Sequence, residues 1–128
     1  MENQKSALGL DGNITALIGY LIPLVSLILI FIEKDNKFVR FHAFQAVLWV
    51  VLCLVGIFAI AIVGFILGLV LSAVSSTLAT LVGLLFILLY FVFLIAYVGG
   101  LIYGAVKGYG GSMFKLPVVG NMAEKYSN

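Results

Sequence analysis

Between Ala46 and Val106 the chain carries no aspartate, glutamate, lysine or arginine. In water a stretch of that length would have to be covered by the rest of the chain. The rest is of similar size and is itself largely apolar, since 64% of all 128 residues are hydrophobic and only 9% are charged. The solvent that accepts such a composition is a lipid bilayer. Lipid offers the backbone no hydrogen-bonding partner, so the segments that cross it must be helices that satisfy their own amides. Runs of about 20 apolar residues are needed for each crossing. The sequence therefore predicts an all-α integral membrane protein with three transmembrane helices, at about residues 12–32, 47–71 and 78–106. A cytosolic loop, 33–46, and a cytosolic tail, 107–128, complete a single membrane domain over residues 1–128.

The first span contains Gly12, Ala16, Gly19, Pro23 and Ser26 at alternating spacings of four and three, a narrow stripe of small residues suited to close helix contact. Pro23 lacks an amide hydrogen and releases the carbonyl of Gly19, so a kink is expected there. Asp11 is the candidate N-cap of this helix, and Asp35 or Asn36 that of the next. From Lys37 to about Leu71 there is no proline and the first glycine is Gly56. A helix that long reaches roughly 50 Å, against a hydrocarbon core of about 30 Å, so its first turns must stand among headgroups or in water. Gly64, Gly68 and Ser72 on this helix, and Ala96, Gly100 and Gly104 on the third, form small-residue stripes that predict a tightly packed antiparallel hairpin with its turn near Ala73–Ser76. After the glycines that follow Lys107, residues Leu116, Val119, Ala123 and Tyr126 are spaced for one face of a short amphipathic tail helix, with Pro117 at its first position.

Three crossings put the 33–46 loop and the tail on one side. These carry Lys34, Lys37, Arg40, Lys107, Lys115 and Lys125, and the other side carries only Lys5. The bias places loop and tail in the cytosol of a cell membrane and the N-terminus outside. The first apolar stretch is expected to stay as an anchor, because Glu33-Lys34 follows it where a signal peptide would have small residues. Cys53, alone in an apolar run, is read as an inert small hydrophobe.

Chemistry could concentrate only between Glu33 and Trp49, which includes the single histidine and the single tryptophan. Glu33, Asp35, Lys37, Arg40, His42 and Gln45 form the candidate functional cluster. Ionisable groups beside a membrane core raise a proton or ligand site as one reading. A structural or lipid-anchoring role is the other, because water reaches this helix start and Arg40 can snorkel to phosphates. One histidine and one distant cysteine do not make a zinc site. Gly108-Tyr109-Gly110 lacks the flanking residues and following span of a potassium filter. No phosphate loop, nucleophile elbow or carboxylate pair is present, so neither catalysis nor a cofactor is expected.

The run Glu33-Lys34-Asp35-Asn36-Lys37-Phe38-Val39-Arg40-Phe41-His42-Ala43-Phe44-Gln45-Ala46 resembles the signature of a family of small uncharacterised prokaryotic membrane proteins. That family is grouped in a superfamily with the Tic-twenty component of the chloroplast inner-envelope import machinery. Leu8-Gly9-Leu10-Asp11-Gly12-Asn13 and Lys115-Leu116-Pro117-Val118-Val119-Gly120-Asn121-Met122-Ala123-Glu124 extend the resemblance over nearly the whole chain. It implies a small polytopic membrane protein without an assigned activity and, by analogy alone, an import-like role. Two readings follow. In the first, a structural or accessory component binds a partner protein or anionic lipid through its basic cytosolic face. In the second, an oligomer transports or translocates a small solute, ion or peptide. The expected partners are anionic headgroups, a second copy of the chain or another membrane protein; nucleic acid is not expected.

Overall fold

The first apolar stretch does not cross a membrane as one helix. In the computed structural model, which describes residues 4–128, it is divided into α1 (Gly12–Leu21) and α2 (Pro23–Ile32). Ile22, at φ −128° and ψ 86°, leaves the helical region between them, and Pro23 opens α2 at its first turn, where its missing amide costs nothing. The carbonyl of Gly19 is taken by the Ser26 hydroxyl, which donates to it at 2.8 Å. That bond spans seven residues, so α2 folds back on α1 instead of continuing it. Ala16 and Leu29 meet in one buried cluster with Phe38, Val39 and Ala43. Each helix has ten residues and is about 15 Å long, half of a hydrocarbon core. Three crossing helices were expected. Two are long and apolar enough among the described residues, α3 (Lys37–Ser72) and α4 (Ser76–Tyr109). Hydropathy was sufficient for a third, but a proline with a hydroxyl three residues beyond it stabilises a sharp reversal.

The reversal also changes which segments share a side. The N-terminal residues, expected across the membrane from the 33–46 loop, are bonded to it: the amide of Ala7 donates to the Glu33 carboxylate at 2.6 Å and Asn36 Nδ2 donates to the carbonyl of Gln4 at 2.9 Å. Asn13 Nδ2 reaches the carbonyl of Tyr109 at 3.1 Å. Asp11 does precede α1, but its carboxylate turns to Lys5 Nζ, 2.6 Å away, and caps no amide. Asn36 caps α3, its Oδ1 accepting from the amide of Val39 at 3.2 Å.

Contacts divide the chain into two units. The first, Met1–Val51 with Val98–Asn128, holds α1, α2, the start of α3, the end of α4 and α5 (Val119–Ser127). Its second buried cluster joins Tyr20, Ala46, Ala105, Leu116 and Val119. Gly100 and Gly104 on α4 are where rings approach: a Cβ at Gly100 would overlap the Trp49 indole and one at Gly104 the Tyr20 ring. The tail helix exists, with Leu116, Val119 and Ala123 buried as expected, while Ser127 is buried and Tyr126 is half exposed. Pro117 stands before the helix, not in it. Val118, at φ 68° and ψ −55°, makes a tight turn in which the amide of Val119 donates to the carbonyl of Pro117 at 2.7 Å.

The second unit, Leu52–Tyr97, is the α3–α4 hairpin. Its turn lies at residues 73–75, and Ser75 caps α4 by accepting from the amide of Leu78 at 3.2 Å. Gly56 packs on Phe93 and Gly64 on Phe86. The small-residue stripes therefore receive aromatic rings and do not mesh glycine against glycine. Gly68 and Gly83 have nothing beside them within 4 Å and border an open gap of about 280 Å³. Ser72 is exposed and bonds only to the carbonyl of Leu69, and Ala96 is exposed too, so neither is a packing residue here. Phe58, Phe65 and Phe91 point outward, as a lipid-facing surface requires.

Candidate functional site

The motif from Glu33 to Gln45 is a set of internal fastenings. His42 Nε2 lies 2.8 Å from the carbonyl of Ser112, which can only accept, so Nε2 carries the hydrogen. Nδ1, 2.7 Å from the Tyr20 hydroxyl, is then the acceptor of a neutral ring. Gln45 Nε2 donates both to Tyr20 Oη at 2.7 Å and to the carbonyl of Phe114 at 2.9 Å, and its Oε1 accepts from the amide of Leu116 at 2.8 Å. Every donor in this chain has an acceptor. It holds the extended segment of residues 112–116 to α1 and α3. His42, Gln45 and Tyr20 are all buried, and the rings of Phe38 and Phe41 stand edge-on to His42. His42 is in the second turn of α3, ahead of the apolar stretch that begins at Ala46. Burial lowers its pKa from 6.5 to about 4, against a smaller upward effect of the Ser112 carbonyl.

A second set closes the loop between α2 and α3. Glu33 is buried, yet among the described residues its carboxylate has no ion-pair partner. It accepts from the amides of Ala7, Asp35 and Asn36, at 2.6, 3.2 and 3.1 Å. The amides of Asp35 and Asn36 precede α3, where a negative charge also complements the helix dipole. Arg40 Nη1 donates to the backbone carbonyl of Glu33 at 2.6 Å and Nε to that of Ser127 at 3.2 Å, joining the end of α2 to the end of α5. Its guanidinium lies 5.5 Å from the centre of the Phe44 ring, which in turn lies beside Tyr126. Lys34, Asp35 and Lys37 are exposed.

Residues 6–123 match the magnetosome magnetite crystal formation family, MamF/MmsF. The chain belongs to this family. Two curated relatives from Methanocaldococcus jannaschii, UPF0132 membrane proteins MJ1443 and MJ1527, are each 35% identical to it. The alignment to MJ1443 covers 96% of this chain and 94% of the relative, and that to MJ1527 covers 94% and 73%. No solved structure matches. This MamF/MmsF protein is thus a membrane protein of an uncharacterised prokaryotic family.

Of the six residues singled out in its sequence, the fold uses Glu33, Arg40, His42 and Gln45 for internal bonds and leaves Asp35 and Lys37 at the surface. The six do not converge on one cavity. Among the described residues no group of three His, Cys, Asp or Glu side chains is placed to hold a metal ion. Tyr20 was missed. Its signal was available, since a lone tyrosine inside an apolar run needs a partner for its hydroxyl. Backbone partners on residues 112–116 left no such signal, because a carbonyl looks alike in every residue.

Proposed function

We propose that this MamF/MmsF protein is a non-catalytic structural or accessory membrane component whose basic end, placed in the cytosol with both termini, binds anionic lipid or a partner protein. One observation carries the reading. All seven basic residues lie outside Leu52–Tyr97, and Lys34 and Lys37 stand exposed with Asp35 while Glu33, Asn36 and Arg40 are bonded inside the fold. A band of unspent cations at a membrane surface attracts negative headgroups. The N-terminal segment bonds to the Glu33 loop, and this supports a cytosolic N-terminus under the positive-inside bias. From the family description, magnetosome magnetite crystal formation, we carry over only participation as an accessory component. Transport or translocation by an oligomer, the role suggested by the Tic-twenty resemblance, finds less support. A conducting path needs wetter walls than the uncharged α3–α4 hairpin offers.

Native mass spectrometry of the full-length protein in mild detergent tests the reading. The expected species is a monomer or dimer carrying anionic lipid or a second protein, and that cargo is lost when Lys34→Glu and Lys37→Glu are combined. A closed oligomer without lipid or partner would overturn the reading in favour of transport.

A further inference from the structure

A groove of about 320 Å³ runs between α2 and α3, lined by Pro23, Leu24, Leu27, Val47, Val50 and Val51. No polar side chain enters this lining. On α3, Arg40, Phe44, Val47 and Val51 recur at spacings of four, three and four, so Arg40 stands about two turns from Val47 on the same face. On α2, the carbonyl that Arg40 grips belongs to Glu33, just past the last turn. Arg40 therefore joins α3 to the end of α2 about two turns beyond the groove on its α3 face, with Lys34 and Lys37 exposed on the short connection and first turn at the same end. Its two recorded bonds use Nε and Nη1, and Nη2 has no partner among the described residues. The buried Glu33 carboxylate is occupied by three amides, so among the described residues Asp35 is the acidic side chain exposed on this connection.

We infer that this groove is a binding site for one anionic glycerophospholipid, with an acyl chain along Leu24, Leu27, Val47 and Val51 and the phosphate at Arg40, Lys34 and Lys37. The inference rests on the proposed lipid-binding role of the basic end and gives it a location. An apolar trough with cations two turns further along the same helix face complements an amphiphile with a negative head. A zwitterionic lipid fills the same trough without the gain at the cations. Neither a soluble anion nor an apolar peptide satisfies both parts.

Trp49, the single tryptophan, lies beside Val50 and Val51 in sequence and reports on bromine atoms nearby. The full-length protein is reconstituted with phosphatidylglycerol or phosphatidylcholine brominated on the acyl chain, at equal mole fraction. The glycerol lipid is expected to quench several-fold more strongly at low mole fraction. Combining Val47→Phe with Val51→Phe fills the trough and should abolish that excess. Lys34→Gln with Lys37→Gln, at exposed side chains that leave the Arg40 bonds intact, should reduce it at least twofold while circular dichroism stays unchanged. Equal quenching by the two lipids in the parent protein would overturn the site. If native mass spectrometry still found bound phosphatidylglycerol after the trough was filled, and the excess quenching also persisted, the basic end would remain a lipid-binding surface and the groove would be refuted. Loss of all preference for the anionic lipid would remove both.

Discussion

At the scale of single residues, the motif is read most directly through His42. Its ring is neutral because of where its neighbours' hydrogens lie, and burial keeps it so until about pH 4. The unfolded chain takes up that proton near 6.5. The stabilisation is thus fully present above about pH 6.5 and is lost as the pH falls toward 4, at about 1.4 kcal/mol for each unit of displacement. Thermal melting in detergent between pH 7.5 and 4.5 should show the parent protein losing stability faster than His42→Gln; parallel curves would contradict the neutral, buried ring. Gln45→Leu makes a stronger case, since it strips partners from the Leu116 amide and the Phe114 carbonyl together. Each buried group left unpaired costs about 1–3 kcal/mol, so the variant should melt well below the parent and expose the peptide bonds after Gly111 to protease. The glycines separate by the same logic of contact. Gly104→Ala forces a methyl into the Tyr20 ring and should destabilise by about 1–3 kcal/mol, whereas Gly68→Ala meets nothing and should melt like the parent.

At the scale of elements, the α1–α2 reversal depends on one hydroxyl. Ser26→Ala leaves the Gly19 carbonyl buried without its donor and should lower the melting temperature, while Ser26→Thr, which keeps the hydroxyl, restores much of the loss. If Ser26→Ala melted like the parent, the bond would not be what holds the reversal. The long helices were legible from the sequence to within about three residues at each end, because the uncharged apolar runs, without proline from Lys37 to Ser72, leave the backbone one way to satisfy itself. Asn36 was one of two candidate caps, and of the face expected on α5, Val119 and Ala123 were legible from periodicity while Tyr126 was not. The division at Ile22 was not, although Pro23 was seen. A proline tells that the helix is interrupted but not which way the chain then turns, and the choice is made by Ser26 and by the seat that Phe38, Val39 and Ala43 provide for Leu29. The candidate cluster was found as a location, but the bonds that draw Glu33 and His42 inside the fold were not legible, because their partners are backbone groups and the hydroxyl of Tyr20. Periodicity does not say which side of a helix the tail will cover.

At the scale of the whole molecule, the number of crossings fixes where the ends lie. Charge and hydropathy alone favoured three, and the six-to-one bias then exiled the N-terminus. With α1 and α2 each about half a bilayer long and folded on one another, the count is two, and Lys5 joins the other six cations. With the cytosolic placement proposed above, all seven would obey the positive-inside bias. Labelling with a membrane-impermeant maleimide in a Cys53→Ala background tests this. Lys5→Cys and Lys125→Cys should each react only after the cells are permeabilised, and Val74→Cys, at a turn residue that is 76% exposed, should react in intact cells. If Lys5→Cys reacted from outside while Lys125→Cys stayed hidden, α1 and α2 would have to unbend into a third crossing. That would break the Ala7–Glu33 and Asn36–Gln4 bonds and strand a buried carboxylate, which is why two crossings are the expected result.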